Sequence, residues 1–303
     1  MKFSIIVPTY NEEQDIERTM KALERLDYPD YEVIIVDDGS KDHTPQIVDG
    51  FCTRNSHFRL IRQERNRGVS AARNTGIRMA AGEVVVILNA DVLLPEDFLT
   101  RIQCHYDAGA KWVAVWCNAI NRDRFLARYT QLIGDYYHLI EKMHFVWTEG
   151  FSCTKEAAIT VGLFPESMPG CSGEDVDFGL NLEKQFPGVK DTSIVVPHIA
   201  PDTIKGFWGQ YKGRGRGRTN VYFYLRKLDK SILLLNTAAA TVKRLLKLAL
   251  VVPLWHAIFL SRYSERGAPD ILPLTFAGYF AETATLVGMW EALGRLFARE
   301  NPR

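Results

Sequence analysis

The sequence predicts an α/β protein in which a mainly parallel sheet is flanked by helices and followed by a helical C-terminal region. Short runs rich in Val, Ile and Leu, at residues 3–7, 32–36, 58–61 and 84–88, alternate with segments of helical periodicity. Apart from Ser4, Glu32 and Arg59 the runs are apolar, and they read as continuous rather than alternating. That is the pattern of strands buried on both faces, as in a parallel sheet covered by helices. The last quarter of the chain changes character and is apolar over long stretches interrupted by basic residues.

The elements follow in order. The run 3–7 is ended by Pro8. Residues 12–26 place Ile16, Met20, Leu23 and Leu26 at helical spacing, and Asn11 is expected to cap that helix. Residues 32–36 lead into Asp37-Asp38-Gly39-Ser40, a second helix contains 47–51, and 58–61 is strand-like. Residues 70–81 are helical, and 84–88 is a buried strand ending at Asn89-Ala90-Asp91. Ligands bind such sheets outside the carboxyl ends of the strands. Polar residues follow the first, second and fourth runs directly, so three loops are expected to converge on one crevice. The middle, 111–201, is mixed. It holds a helical stretch near 125–144 and the acidic segment Gly173-Glu174-Asp175-Val176-Asp177, which leads into a helix-like 178–182.

The chain of 303 residues has 37 Lys plus Arg against 36 Asp plus Glu, a net charge of +1. This balance gives no support to a polyanionic partner, and no nucleic-acid partner is expected. An apolar share of 47% and a charged share of 24% are those of a globular protein rather than a disordered one. The five cysteines, Cys52, Cys104, Cys117, Cys153 and Cys171, are an odd number without metal-type spacing, and they read as free thiols in a reducing compartment. The first apolar run is too short for a signal peptide. There is no internal repeat or low-complexity segment.

Four segments carry candidate chemistry. Asp37-Asp38 at a strand end presents carboxylates that can accept hydrogen bonds from a base or ribose, or can simply make a turn. Asp91 emerges from a buried strand. Hard cations such as Mg²⁺ or Mn²⁺ take oxygen ligands, often one or two carboxylates plus substrate phosphates, and Asp91 suits that role. Arg62, Arg65, Arg67 and Arg73 cluster around Asn66, Gly68 and Asn74, where they can meet phosphate or base edges. Asp175 or Glu174 can take a proton from an acceptor hydroxyl, or can complement a helix dipole. The stretch Gln210-Tyr211-Lys212-Gly213-Arg214-Gly215-Arg216-Gly217-Arg218 reads as a flexible basic loop able to grip an anion.

Taken in order over about residues 3–220, these segments resemble the inverting glycosyltransferases of family 2, which share the GT-A fold, a Rossmann-like arrangement. Pro8-Thr9-Tyr10-Asn11-Glu12, Asp37-Asp38-Gly39-Ser40 and Arg65-Asn66-Arg67-Gly68 resemble the nucleotide-binding signatures. Asn89-Ala90-Asp91 occupies the place of the family's Asp-x-Asp, residues 147–164 resemble the acceptor-side segment, and Gly173-Glu174-Asp175 resembles the Glu-Asp motif. Residues 210–214 resemble a degenerate Gln-x-x-Arg-Trp stretch.

The resemblance implies roles. Pro8, Tyr10, Glu12 and Asp38 would hold the nucleoside, with Arg67, Asn89 and Ala90 also lining the donor site. Asp91 would bind Mn²⁺ or Mg²⁺, with His198 near the metal. Asp175, or its neighbour Glu174, would be the catalytic acid–base group, and Lys212 with Arg214 would contact the diphosphate. The donor would be GDP-mannose or a UDP-sugar. Two departures stand out: Asn89 replaces an acid, leaving one firm carboxylate ligand, and Arg214 is followed by Gly215 rather than Trp. The second separates the chain from processive synthases, which also carry long spanning helices not expected here. A single sugar transfer is therefore expected.

The implied organisation is a catalytic domain at 1–228, with a nucleotide-sugar half of about 1–110 and an acceptor half of about 111–228, then a helical region at 229–303. Residues 231–261 are apolar but interrupted by Lys243, Arg244 and Lys247, and 267–290 are broken by Pro269, Asp270, Pro273 and Glu282. No uncharged run reaches the roughly 18 residues of a spanning helix. A basic, Leu-rich and aromatic helical region suits a membrane interface, or a hairpin packed on the catalytic domain or on a second subunit in a homodimer. A lipid-linked or glycan acceptor and a peripheral position on the cytoplasmic face of the cell membrane follow as expectations. A nucleotidyltransferase-like protein and a non-catalytic sugar-nucleotide binder are the competing readings.

Overall fold

The computed structural model describes residues 1–139, 148–168 and 173–298. Seven strands form one sheet in the order β3-β2-β1-β4-β6-β5-β7. They are β1 (Phe3–Thr9), β2 (Tyr31–Asp37), β3 (Phe58–Arg62), β4 (Val84–Ile87), β5 (Trp112–Ala119), β6 (Phe151–Thr154) and β7 (Gly188–His198). β1 pairs in parallel with both β2 and β4, and β2 with β3. β6 runs antiparallel to both β4 and β5. The strand order therefore reverses at β1, with consecutive strands β2 and β3 on one side and β4 on the other. A crevice opens at such a switch point, beyond the carboxyl ends of the strands.

The continuous apolar runs are explained by burial on both faces. Phe3, Ile5, Val7, Val33, Ile35, Val84 and Val86 enter one core, and Ile6, Ile34, Val36, Val85 and Ile87 enter the other. Each such side chain contributes about 1.5–3 kcal/mol when removed from water. Helices α1 (Ile16–Leu23), α2 (Thr44–Arg54), α3 (Val69–Met79), α4 (Phe98–Asp107), α6 (Lys155–Thr160) and α7 (Glu174–Gln185) belong to this α/β unit, which comprises residues 1–118, 145–166 and 174–198.

One boundary differs from expectation. α1 begins at Ile16, not at residue 12, and Asn11 does not cap it. Asn11 instead sits at φ +57° and joins the loop after β2: its Oδ1 accepts from Lys41 N at 2.8 Å and its own N donates to Ser40 Oγ at 2.9 Å. Asparagine tolerates this left-handed conformation better than most residues.

The second unit, residues 119–144, 167–173 and 199–303, is helical. It contains α5 (Phe125–Leu139), α8 (Ile204–Asn220), α9 (Lys230–Ala249), α10 (Val252–Leu260) and α11 (Ile271–Ala298). A five-residue π-helical segment, Val221–Leu225, continues α8. The boundary expected at 228 falls inside this unit. Residues 140–144 of the expected helix, and Cys171, lie outside the described residues.

Residues 210–218 are not a loop but the body of α8. Glycine is a poor helix former, and tertiary packing explains its use here. A Cβ on Gly215 would stand 2.0 Å from the Thr285 carbonyl oxygen of α11, and one on Gly288 of α11 would stand 2.0 Å from the Lys212 carbonyl oxygen. The two helices pack backbone to backbone at these points. The expectation of no spanning-length helix also needs correction. By length and composition, the stretch Ala268–Ala298 is long and apolar enough to cross a membrane. α11 nevertheless has a protein-facing side made by Leu274, Ala277, Ala281, Ala284 and Leu293.

Candidate active site

The loops after β1, β2 and β3 are stitched together by side chain-to-backbone bonds. Both Asp38 oxygens accept main-chain amides of the loop before α3, from Arg67 N at 2.7 Å and from Gly68 N at 2.8 Å. Hydrogen bonds to an ionised acceptor are about twice as strong as neutral ones. Thr44 Oγ1 accepts from Glu12 N at 2.7 Å, which ties the first loop to the second. Pro8 is buried within β1. Tyr10 is 42% exposed, a large ring left open to solvent on the loop that follows β1. Arg67 pairs with Glu166 at 3.3 Å.

The end of β4 carries the acidic centre. Ala90 O accepts from Thr19 Oγ1 at 2.6 Å, which fixes the turn that presents Asp91. Val92 forms an antiparallel bridge with His198, and Leu93 N donates to Pro197 O at 2.9 Å. The end of β7 is thereby held beside Asp91, so two expected metal-site residues meet through the backbone. Asp91 Oδ1 is buried and has no hydrogen-bond partner. Burial, and then the charges of Glu149 and Glu12, push its carboxyl up from 3.8 to about 7.

Asn89 is spoken for on both sides of its amide. Its Oδ1 accepts from Arg73 Nη2 at 3.2 Å, and its Nδ2 donates to Glu149 Oε1 at 3.3 Å. Glu149 Oε2 is buried without a partner. Arg73, one of the basic residues expected to meet phosphate or base edges, is only 3% exposed. It donates to Glu174 Oε1 at 2.8 Å and to Thr148 Oγ1 at 3.0 Å. Glu174 is thus a buried ion-pair partner of Arg73, next in sequence to Asp175. Burial and then the Glu174 charge raise the Asp175 carboxyl to about 7, against the opposing pull of Arg73. Glu12 is also raised to about 7, by burial and then by Asp15 and Asp42.

Glu149 and the structural role of Arg73 were not legible as site features in the sequence. Glu149 lies in an irregular segment before Gly150, whose φ of +86° and close packing against Val115 and Val196 set the turn. Lys212 and Arg214 lie on α8 in the second unit, where Lys212 pairs with Glu291 at 3.4 Å and Arg214 lies over the Tyr211 ring.

Among the described residues no group of three or more His, Cys, Asp or Glu side chains is preassembled to hold a cation. The chemistry still fits one. A buried carboxylate oxygen without a donor is costly unless paired or bound to a metal, and Asp91 offers such an oxygen to a hard cation.

An α/β sheet covered on both faces, with stitched loops and Asp91 at a strand end beside the switch point, is the arrangement of a protein that binds its ligand in the crevice beyond the strand ends. The family profile for Glycosyl transferase family 2 matches residues 4–166, and the chain belongs to that family. It is 37% identical over 94 residues to a poly-beta-1,6-N-acetyl-D-glucosamine synthase of Staphylococcus epidermidis, covering 31% of this chain and 23% of that protein. It is 33% identical over 113 residues to an undecaprenyl-phosphate 4-deoxy-4-formamido-L-arabinose transferase of Proteus mirabilis, covering 36% and 34%. The chain thus spans about a quarter to a third of the length of these curated relatives. The GT-A fold is shared with a mannosyltransferase of Pyrobaculum calidifontis solved with GDP-Man and Mn²⁺, at a TM-score of 0.56 and 21% identity over 99% of this chain and 76% of that one.

Proposed function

We propose that this chain is an inverting transferase that moves one sugar from a nucleotide-diphosphate donor, GDP-mannose or a UDP-sugar, to a lipid-linked or membrane-proximal acceptor. The observation that carries the reading is the pairing, within the α/β unit, of an unpartnered buried acid at a strand end, Asp91, with a second buried acid, Asp175, whose carboxyl is raised to about 7. Asp91 would hold Mn²⁺ or Mg²⁺, with His198 beside it, and the cation would supply positive charge for the departing diphosphate. Asp175 takes the proton of an acceptor hydroxyl, and a pKa near the working pH suits a general base. Glu174, held by Arg73, sets its position. Tyr10, Pro8, Glu12 and Arg67 frame the nucleoside, with Asp38 ordering the loop between them.

The helical unit supports the membrane-proximal part of the reading. α9 buries only Leu233 and Thr237 of its 20 residues. Leu235, Leu245, Leu246 and Leu250 are each more than half exposed, as is Trp255 of α10. An apolar face of this kind, next to Lys243 and Lys247, suits an anionic lipid surface. One of the relatives, by its name, acts on an undecaprenyl phosphate. A dimer contact is the other occupant of that face.

The test is a donor screen with Mn²⁺ and Mg²⁺, reading nucleoside diphosphate release with and without a lipid-linked sugar whose free hydroxyl is the acceptor, for the wild type and for Asp175→Asn. The proposal expects release that depends on metal, on acceptor and on Asp175. Equal release by both proteins would remove Asp175 as the base. No release from any donor would favour the non-catalytic binder that Asn89 brings to mind.

A further inference from the structure

Position 89 is where the family motif carries an acid, and here it is an amide. The question is where the second negative charge of the site has gone. Asn89 donates from Nδ2 to Glu149 Oε1 at 3.3 Å, while its Oδ1 is held by Arg73. An aspartate could not make the first of these bonds, because an ionised carboxylate only accepts. The amide therefore does something an acid would not: it holds a carboxylate from another segment beside the strand end. Glu149 Oε2 remains buried without a hydrogen-bond partner, as does Asp91 Oδ1. The segment that delivers Glu149 is fixed on its far side by Gly150, whose N donates to Ile87 O at 3.1 Å, at the end of the strand that leads to Asp91. Two enclosed carboxylate oxygens, each lacking a donor, with the Glu149 charge acting on the Asp91 carboxyl, leave a demand for a positive ion that no donor among the described residues meets.

We infer that Glu149 is the second carboxylate ligand of the divalent cation, relocated from position 89 to the segment before β6, with Asn89 as the residue that orients it. The site would then be one acid from the end of β4 and one from the start of β6, which are antiparallel neighbours in the sheet. This rests on the reading that Asp91 holds a cation, and it adds a ligand which neither the motif order nor the relatives' names supply. It also removes the apparent deficit: the charge count at the metal is that of a two-acid site.

The experiment measures Mn²⁺ alone, by loss of the free aquo-ion's electron paramagnetic resonance signal on titration with the full-length chain, at pH 8. The variants are Asp91→Asn, Glu149→Gln, and the exchange pair Asn89→Asp with Glu149→Gln. Glutamine keeps the shape of Glu149, and each variant's melting temperature without metal is recorded alongside. The inference expects Glu149→Gln to weaken Mn²⁺ binding by tenfold or more while the metal-free melting temperature holds or rises, since a buried like charge is removed. The exchange pair should bring affinity back to within about threefold of wild type, because the carboxylate and the amide have traded places. Unchanged Mn²⁺ affinity in Glu149→Gln, with loss in Asp91→Asn, would overturn this inference and leave the metal site itself standing. Unchanged affinity in both, or no Mn²⁺ binding by the wild type, would take down the metal reading with it. A lower metal-free melting temperature at unchanged affinity would make Glu149 a folding residue instead.

Discussion

Arg73 and Glu174 form an ion pair of 2.8 Å in which neither side chain is more than 4% exposed. It joins the middle of α3 to the first residue of α7. Since α3 also sets the third loop and α7 begins with the Glu-Asp pair, this contact fixes the position of Asp175 relative to the strand ends. Breaking a buried pair by removing one charge leaves the other uncompensated and costs about 3–5 kcal/mol. Glu174→Gln is expected to lower urea-unfolding stability by that order and, because the Glu174 charge helps to raise the Asp175 carboxyl, to move the acidic limb of the pH profile of the remaining activity to lower pH. Asp175→Asn is expected to do the reverse: a hundredfold or greater loss of turnover, with stability at pH 8 unchanged or raised. If Asp175→Asn keeps wild-type turnover and Glu174→Gln abolishes it, the roles of the two acids must be exchanged.

Asp38 was expected to meet the nucleoside, and the structure gives its carboxylate a nearer duty, since both oxygens are taken by the amides of Arg67 and Gly68. Asparagine at this position keeps one acceptor and turns an NH₂ toward a backbone N–H. Asp38→Asn should therefore cost about 1–3 kcal/mol of stability and raise the donor's KM through the displaced loop more than it lowers kcat. Kinetics with saturating acceptor check this split. A kcat effect alone would mean that the carboxylate acts in the chemical step.

The acids near 7 give a signed pH dependence. Asp91 and Asp175 rise from 3.8 to about 7 and Glu12 from 4.5 to about 7, all mainly through burial. Between roughly pH 4 and 7 the folded chain holds protons that the unfolded chain has released. The unfolded state binds fewer, so stability falls as pH rises through this window. Metal-free protein should have a lower urea midpoint at pH 8 than at pH 6. Mn²⁺, which favours the ionised form, should narrow the gap, and Asp91→Asn should flatten part of it. A metal-free midpoint that climbs from pH 6 to pH 8 would contradict the burial of these acids.

The first unit was largely legible because its central strands β1, β2 and β4 are buried on both faces, so hydrophobic continuity and loop chemistry agreed there. Residues 210–218 were not legible. Three glycines spaced by arginines have the local preferences of a loop, and only the contact partner on α11 makes them helical. That partner is distant in sequence and leaves no local trace. Gly215→Ala and Gly288→Ala should each destabilise by about 1–3 kcal/mol or more, as overpacking does, because each new Cβ meets a backbone carbonyl at 2.0 Å. Gly209→Ala, with nothing within 4 Å, should be neutral or stabilising by helix propensity. Thermal unfolding separates them, and equal effects at Gly209 and Gly215 would mean that α8 and α11 do not approach this closely. Glu149 was illegible for a different reason: an acid in an irregular segment has no periodicity to mark it, and only its bond to Asn89 does.

The apolar face of α9 and α10 offers two occupants with different concentration dependence. Half-immersing one Leu or Trp side chain in an interface is worth on the order of 1 kcal/mol. Replacing Leu235, Leu246 and Trp255 together by Ser should then weaken partition to vesicles by roughly a hundredfold. These residues are respectively 69%, 55% and 66% exposed, so their replacement should leave the melting temperature nearly unchanged. Lys243 and Lys247 on the same helix make the partition depend on anionic lipid and on salt. Flotation with phosphatidylglycerol-containing vesicles against purely zwitterionic ones, at low and high ionic strength, reads both terms. If the wild type stays with the soluble fraction in every case, and sedimentation shows a dimer that the triple variant cannot form, the face belongs to a second copy of the chain and the acceptor need not be a lipid.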